Sequence, residues 1–141
     1  MSTNDRPILL VEDNPMDVDL TLRAFKRRRV TNTIHVARDG EEALAWLARW
    51  EAGEPWPAVI LLDLKLPKVD GLEVLRQIKQ HPTLRVIPVV VLTTSAEGAD
   101  VQAAYQLGVN SYIVKPVEFE KFMDISDQID VYWTLINQPP V

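Results

Sequence analysis

This chain contains a set of short apolar runs, each followed by a polar residue and separated from the next by a longer segment, and this pattern limits the folds that it can adopt. The runs lie at residues 8–11, 59–62, 89–92 and 112–114 and are rich in Val, Ile and Leu. Such runs are typical of strands that are buried on both faces, and each gap supplies the roughly dozen residues that a parallel crossover needs. We therefore predict repeated β-α-β units that build one parallel sheet with helices on both faces.

Polar side chains follow these runs at the points where the strands are expected to end. Glu12 and Asp13 follow the first run, Asp63 and Thr93 follow the next two, and Lys115 follows the last. The carboxyl ends of parallel strands meet at one edge of a sheet, which is where open α/β sheets carry their sites. We expect these side chains to form one reaction centre.

Composition excludes several classes of protein. The chain has 141 residues, 47% hydrophobic and 25% charged, which is ordinary for one domain and leaves no room for a second. The net charge of −5 argues against nucleic acid binding, and the absence of cysteine excludes disulfides and thiolate chemistry. No run approaches the roughly 20 apolar residues of a membrane span, and the polar start carries no export signal, so a cytoplasmic protein with no membrane contact is expected.

Helices are predicted in the gaps between the runs. Asn14 is the expected cap and Pro15 the first residue of a helix that extends to about residue 28. Further helices are expected over about 40–52, 71–80, 98–107 and 118–136. The more polar segment 33–37 is predicted to be a strand at an edge of the sheet.

Three of the four tryptophans, Trp46, Trp50 and Trp56, lie close together in the sequence. We interpret them as packing one helix against the loop that follows it. An aromatic cluster that stacks on a ligand is the alternative.

The residue types at the strand ends point to phosphoryl chemistry. Three converging carboxylates, Glu12, Asp13 and Asp63, repel one another unless a cation is bound, and oxygen ligands with room for water suit Mg²⁺. Lys115 would add a positive charge and Thr93 a hydrogen bond for phosphoryl oxygens. Taken singly, each residue also fits a capping turn, a salt bridge or a strand position. Their joint occurrence predicts a phosphoryl-transfer site with Asp63 as nucleophile.

Four motifs carry a resemblance to a known family. They are Ile-Leu-Leu-Val-Glu-Asp-Asn at 8–14, Leu-Leu-Asp-Leu-Lys-Leu-Pro-Lys-Val-Asp-Gly at 61–71, Val-Leu-Thr-Thr-Ser at 91–95 and Gly-Val-Asn-Ser-Tyr-Ile-Val-Lys-Pro at 108–116. Over about residues 7–130 the chain resembles the receiver domain of two-component response regulators, the CheY-like family. The resemblance implies a flavodoxin-like (βα)5 fold with a doubly wound, five-stranded parallel sheet of order 2-1-3-4-5.

The resemblance also implies a role for each site residue. Asp63 would accept a phosphoryl group from a histidine kinase or phosphotransfer protein. The Mg²⁺ ligands would be Glu12, Asp13, Asp63 and the backbone carbonyl of Lys65.

Thr93 and Lys115 would bind phosphoryl oxygens, and Tyr112 would be the switching aromatic. Phosphorylation would draw Thr93 inward and open space into which Tyr112 rotates. Lys115-Pro116 matches the position of a cis peptide bond in the family. Lys65 and the bulky Thr94 depart from the common pattern, so an altered rate of self-dephosphorylation is expected.

Residues 131–140 resemble the ending of stand-alone regulators that pair with bacterial phytochromes and tend to form homodimers. We therefore predict a single receiver domain over 1–141 whose C-terminal helix and tail, 130–141, contribute to dimerisation. The candidate dimer residues are Tyr132, Trp133, Leu135 and Ile136, with packing on the chain's own core as the alternative. Because no effector domain is expected, the output would be a protein contact or a phosphorelay.

Two rival functions remain. A haloacid-dehalogenase-type phosphatase also uses an aspartate nucleophile with Mg²⁺, but its second aspartate would fall at Lys65, which is no general acid of that kind. The other rival is an adaptor of the same fold that docks without phosphorylation. A nucleotide-binding protein is not favoured, since no glycine-rich loop follows the first run and carboxylates there would repel a pyrophosphate. Catalysis is expected to extend only to the chain's own phosphoryl transfer and self-dephosphorylation.

Overall fold

The computed structural model describes residues 6–27 and 29–115. In chain order the elements are β1 (Ile8–Val11), α1 (Pro15–Arg27), β2 (Ile34–Ala37), α2 (Gly40–Glu51), β3 (Val59–Leu62), α3 (Gly71–Gln80), a short 3-10 helix (Leu84–Val86), β4 (Val89–Thr93), α4 (Gly98–Gln106) and β5 (Ser111–Val114). The helix predicted over 118–136 lies outside the described residues. So do Pro116, and with it the predicted cis peptide bond, and the candidate dimer residues Tyr132, Trp133, Leu135 and Ile136.

The five strands form one parallel sheet in the order β2-β1-β3-β4-β5. This confirms the predicted flavodoxin-like topology, including the edge position of the polar strand β2. Val11 pairs with Leu62, and Thr93 pairs with Val114. Leu62 also pairs with Val91, so β4 and β5 extend two residues further than β1 and β3 at the same edge of the sheet.

The central strands are apolar throughout because both of their faces are covered. Successive side chains of a strand point to opposite faces. In β1, Leu9 and Val11 pack in a core that includes residues of α2 and α3, whereas Ile8 and Leu10 pack in a second core with Val18 and Phe25 of α1. Helices therefore cover both faces of the sheet, as predicted. Within the described residues, no helix has both the length and the apolar character that a membrane span requires.

Local boundaries differ slightly from the sequence-based expectations. Thr93 is the last residue of β4 instead of the residue after it, because the pairing with Val114 in β5 continues that far. The 3-10 helix at Leu84–Val86 was not predicted. The expected cap is present, since Asn14 Oδ1 accepts a hydrogen bond from the Met16 backbone N–H at 2.9 Å.

The tryptophan cluster packs α2 against its neighbours, in agreement with the packing interpretation. Trp50 is buried, and the ring centroid of Trp46 lies 6.2 Å from that of Trp50 and 4.5 Å from that of His35. The three tryptophans also line a cavity of about 480 Å³ at the opposite end of β2 from the predicted reaction centre, together with residues such as Pro7 and Pro55.

Candidate functional site

Backbone hydrogen bonds continue past the strand ends and hold the predicted site residues next to one another. The Glu12 N–H donates to the carbonyl of Ala37 at 2.9 Å, and the Asp63 N–H donates to the carbonyl of Val11 at 3.0 Å. The Lys115 N–H donates to the Thr93 carbonyl at 2.6 Å. The first residue beyond three of the strands is thus still anchored to its neighbouring strand, which limits where its side chain can go.

Three carboxylates meet at this edge. Glu12, Asp13 and Asp63 each offer an oxygen, and these oxygens all lie within 4.8 Å of one another. Glu12 is 2% exposed and Asp63 is 6% exposed, whereas Asp13 is open to solvent. Because a divalent cation favours several carboxylate oxygens with room for water, this donor set fits Mg²⁺ or a similar hard cation.

Lys115 is the cationic partner of the carboxylates. Its Nζ donates to Asp63 Oδ2 at 3.1 Å, to Asp17 Oδ2 at 2.8 Å and to Glu12 Oε1. Burial opposes the charged ammonium, but the hydrogen bonds to Asp17 and Glu12 and the charge of Asp63 raise the pKa of Lys115 above its ordinary value. The side chain therefore carries a positive charge at neutral pH.

Glu12 depends on that contact for its own ionisation. Burial raises the pKa of Glu12 to about 7, while the hydrogen bond and the charge of Lys115 oppose the rise. Its second oxygen, Oε2, accepts a hydrogen bond from the Asn14 N–H at 3.1 Å. The two Glu12 oxygens are therefore held by different partners.

The two oxygens of Asp63 also have different surroundings. Oδ1 accepts hydrogen bonds from Thr93 Oγ1 at 2.7 Å and from the Lys65 backbone N–H at 3.1 Å. Oδ2 faces the Lys115 ammonium. The structure thus brings Asp63, Thr93 and Lys115 together as the strand-end pattern predicts, and the Lys65 backbone adjoins them through its N–H.

Tyr112 is linked to Asp63 by hydrogen bonds that pass through Ser95 and Thr93. Its hydroxyl donates to the Ser95 carbonyl at 2.7 Å, and its half-buried ring packs against the core formed with α2 and α3. Burial raises the pKa of Tyr112, so its hydroxyl stays protonated at neutral pH. Thr93 contacts Asp63 directly, and the ring of Tyr112 lies against the core.

Three residues of this network were missed by sequence reasoning: Asp17, Ser95 and Asp100. Asp17 lies three residues after the predicted cap Asn14, so its place in the first turn of α1, next to the end of β1, was an available signal. Ser95 stands within one of the recognised motifs, but its motif position does not reveal its contacts. Asp100 lies five residues after Ser95, whose hydroxyl donates to it, but nothing in the sequence between them indicates that contact.

Comparison with known proteins identifies similar sequences and structures. The family model for the response regulator receiver domain matches residues 8–127. The probable methanogenesis regulatory protein FilR2 of Methanothrix harundinacea is 49% identical over 134 residues, which cover 94% of this chain and 86% of FilR2.

Two solved structures are similar over nearly their whole lengths. The phosphorylated cyanobacterial phytochrome response regulator RcpA has a TM-score of 0.89 and 41% identity, and the match covers 97% of this chain and 99% of that one. The Mn²⁺-bound form of the response regulator Rcp1, a Synechocystis protein, has a TM-score of 0.87 and 40% identity, with 96% and 99% covered.

Proposed function

This chain belongs to the response regulator receiver domain family, and on that premise we propose that it accepts a phosphoryl group on Asp63 and thereby changes its association with other proteins. The observation that carries the proposal is the environment of the Asp63 carboxylate. Oδ2 lies 3.1 Å from Lys115 Nζ, and Oδ1 lies 2.7 Å from Thr93 Oγ1. Both neighbours are donors suited to phosphoryl oxygens.

The donor in the cell would be a phosphohistidine on a histidine kinase or a phosphotransfer protein, the partners with which receiver domains of this family interact. An oxygen of Asp63 would bond to phosphorus while the bond between phosphorus and the histidine nitrogen breaks. The electron pair of that bond stays on the imidazole, which takes up a proton from solvent. The products are free histidine and an acyl phosphate, so the transfer requires no reactant other than that proton.

The residues around Asp63 would lower the barrier through charge and position. Lys115 would keep one positive charge beside the incoming phosphoryl oxygens, and Thr93 would donate a hydrogen bond from the opposite side. Both side chains are buried or nearly so. Their dipoles and charges are therefore screened by water less than those of surface groups.

We assign Mg²⁺ to the three carboxylates Glu12, Asp13 and Asp63, with the Lys65 carbonyl as a fourth ligand. Bound there, the ion would neutralise charge on the phosphoryl oxygens. Receiver domains carry such acidic metal pockets, and the Mn²⁺-bound form of Rcp1 is a solved example at 40% identity. The convergence of the three carboxylates supports the same assignment here.

The similar proteins support a more specific proposal for the partners of this chain. The likeness to RcpA, a phytochrome response regulator, supports a phytochrome-type histidine kinase as the source of the phosphoryl group. We further propose a cytoplasmic homodimer in which Tyr132, Trp133, Leu135 and Ile136 contribute to the contact, with the chain acting as a single receiver domain. Nucleic acid is not a proposed partner.

The test is the intact mass of the full chain after incubation with Mg²⁺ and acetyl phosphate, with size-exclusion chromatography of the same samples. Wild type is expected to gain one phosphoryl group and to change its elution, and Asp63→Asn is expected to gain none. Asp70→Asn is the matched control, since Asp70 is an exposed carboxylate of the same loop whose side chain makes no capping hydrogen bond.

Other outcomes would point to the rival functions. Wild type that gains no phosphoryl group from any donor would favour the adaptor that docks without phosphorylation. Sustained hydrolysis of small phosphate esters would favour the phosphatase. A phosphoryl group on Asp63→Asn would exclude Asp63 as the acceptor.

A further inference from the structure

Asp100, in the first turn of α4, connects the two loops that flank Asp63. Its Oδ2 accepts a hydrogen bond from Ser95 Oγ at 2.6 Å and lies 3.4 Å from Lys65 Nζ. Ser95 belongs to the loop after β4, and Lys65 belongs to the loop after β3. A single carboxylate oxygen of a helix thus joins both loops.

Ser95 is the junction through which Asp100 reaches the switch residues. The Ser95 backbone N–H donates to Thr93 Oγ1 at 3.3 Å, and the Ser95 carbonyl accepts from the Tyr112 hydroxyl at 2.7 Å. A displacement of Ser95 would therefore disturb the Thr93 and Tyr112 contacts at the same time. The side-chain hydroxyl of Ser95 is held by Asp100.

These contacts close into a ring that begins and ends at Asp63. Thr93 Oγ1 donates to Asp63 Oδ1 at 2.7 Å, and the Lys65 N–H donates to the same oxygen at 3.1 Å. Asp100 completes the ring between Ser95 and Lys65. Because the ring is closed, one Asp63 oxygen is positioned from two directions, and Asp100 is the member farthest from the chemistry.

The two arms of the ring differ in strength. The Ser95 hydroxyl and the carboxylate are both largely shielded, and a short hydrogen bond to a charged acceptor is among the stronger ones. The Lys65 side chain is 58% exposed, and exposed ion pairs contribute little. The hydrogen bond to Ser95 and the charge of Lys65 both lower the pKa of Asp100, so it is ionised at neutral pH. The effect of Asp100 on Asp63 should therefore be transmitted mainly through Ser95.

We propose that Asp100 is a positioning residue that, through Ser95, holds Thr93 and Tyr112 in place and keeps water away from the phosphoryl group on Asp63. The proposal rests on the proposed function. Asp63, Thr93 and Ser95 are all buried, and Ser95 is linked to Asp63 through Thr93, so release of Ser95 would loosen the packing that keeps water from phosphorus. Asp100 would then set how long the phosphorylated state lasts.

The reaction that Asp100 would slow is hydrolysis of the acyl phosphate. A water oxygen bonds to phosphorus while the bond between phosphorus and the Asp63 oxygen breaks, and that oxygen keeps the electron pair. The products are the Asp63 carboxylate and dihydrogen phosphate, which retains both protons of the water. No other reactant is needed.

The test measures the rate at which the full chain loses its phosphoryl group, by intact mass with Mg²⁺ present, after acetyl phosphate has been removed. Asp100→Ala is expected to lose the group about fivefold faster than wild type, the factor that corresponds to about 1 kcal/mol for one hydrogen bond. Asp100→Asn keeps an oxygen that accepts from Ser95, so it should restore a rate close to that of wild type. Ser95→Ala should lose its phosphoryl group at the same rate as Asp100→Ala. The double variant should lose it no faster than either single variant.

Glu97→Ala is the control for charge at the same helix end, because Glu97 precedes α4 and its side chain makes no capping hydrogen bond. Its rate should equal that of wild type. Thermal unfolding of each variant shows whether a faster rate comes from loss of the fold or from displacement of Ser95 in a folded protein. If Asp100→Ala does not fold, the rate of phosphoryl loss in Ser95→Ala, compared with that of wild type, tests the proposal.

Two results would overturn the proposal. One is a wild-type rate of phosphoryl loss in both Asp100→Ala and Ser95→Ala. The other is strictly additive acceleration in the double variant, since residues that act through one path are not additive. A failure of the proposed function looks different, because wild type itself would then take up no phosphoryl group.

Discussion

Asp17 Oδ2 accepts a hydrogen bond from Lys115 Nζ at 2.8 Å, although Asp17 lies in the first turn of α1 and Lys115 follows β5. This contact is shorter than the 3.1 Å between the same ammonium and Asp63 Oδ2. Asp17 and Asp63 thus share the Lys115 ammonium, which is the one cationic side chain within residues 6–27 and 29–115 that contacts the Asp63 side chain. The site has a fourth carboxylate, placed to compete with Asp63 for Lys115.

Asp17→Asn should take up a phosphoryl group from acetyl phosphate faster than wild type. The change removes a negative charge near an anionic donor and leaves Lys115 more available to Asp63. An effect of about 1 kcal/mol corresponds to roughly a fivefold increase in rate. The measurement is the time course of the intact mass. Asp19→Asn, an exposed residue of the same helix that pairs with Arg23, is the control, and slower uptake by Asp17→Asn would contradict the prediction.

Lys115→Ala should bind Mg²⁺ more tightly than wild type. The Lys115 ammonium neutralises the same carboxylates that would hold the ion, and Mg²⁺ has to compete with it at Glu12 and Asp63. Loss of that competition should raise the affinity by roughly threefold or more, as measured by isothermal titration calorimetry. Lys68→Ala, an exposed lysine that pairs with Asp39, is the control. Weaker binding in Lys115→Ala would show that the ammonium is not a competitor.

Gly71→Ala should destabilise the fold, whereas Gly98→Ala should not. Each glycine is the first residue of its helix, α3 or α4. A Cβ on Gly71 would lie 2.4 Å from the Asp63 carbonyl oxygen and 2.5 Å from Leu64 Cα, so the backbone would have to move. A Cβ on Gly98 would meet no atom within 4 Å.

The expected cost of Gly71→Ala is about 1–3 kcal/mol in the free energy of unfolding, measured by urea denaturation. Gly98→Ala should be neutral or stabilising by less than about 1 kcal/mol, since alanine restricts the unfolded chain. Equal stabilities of the two variants would mean that the loop around Asp63 yields without strain. The backbone at Asp63 is then less rigid than its contacts indicate.

Lys79 lies away from the site, and its lowered pKa should make the stability of the fold depend on pH. Burial lowers the pKa of Lys79 to about 8, and its Nζ donates to the carbonyls of Ile87 at 2.8 Å and Arg85 at 3.0 Å. Between about pH 8 and its ordinary pKa near 10.5, the unfolded chain binds more protons than the folded one. The contribution of Lys79 to the free energy of unfolding therefore rises with pH across this window.

Denaturation of wild type and Lys79→Met at several values between pH 7.5 and 10.5, roughly the window between the two pKa values, measures this contribution. The stability of wild type relative to Lys79→Met should increase with pH. Lys26 is an exposed lysine in the last turn of α1, and Lys26→Met is the control. The difference in free energy of unfolding between wild type and Lys26→Met should not change with pH. A difference that stays constant or shrinks as pH rises would contradict the lowered pKa of Lys79.

The strands could be predicted from the sequence because burial on both faces leaves a continuous apolar run that local inspection detects. Runs at 59–62 and 89–92 correspond closely to β3 and β4, and the polar segment 33–37 contains the edge strand β2. The 3-10 helix at Leu84–Val86 was missed, since its stability comes from packing of Leu84 in the core and from Lys79. Thr93 was placed after β4 because its membership of the strand depends on pairing with β5.

The groups at the strand ends could be named from the sequence: Glu12, Asp13, Asp63, Thr93 and Lys115. That information is local, because a parallel strand ends where its apolar run ends and the next residue emerges at the edge. The contact of Asp17 with Lys115, and that of Asp100 with Lys65, became apparent from the folded chain alone. Asp17 and Lys115 are 98 residues apart in the sequence, and Lys65 and Asp100 belong to different β-α units, so the packing of many distant side chains determines whether these groups meet.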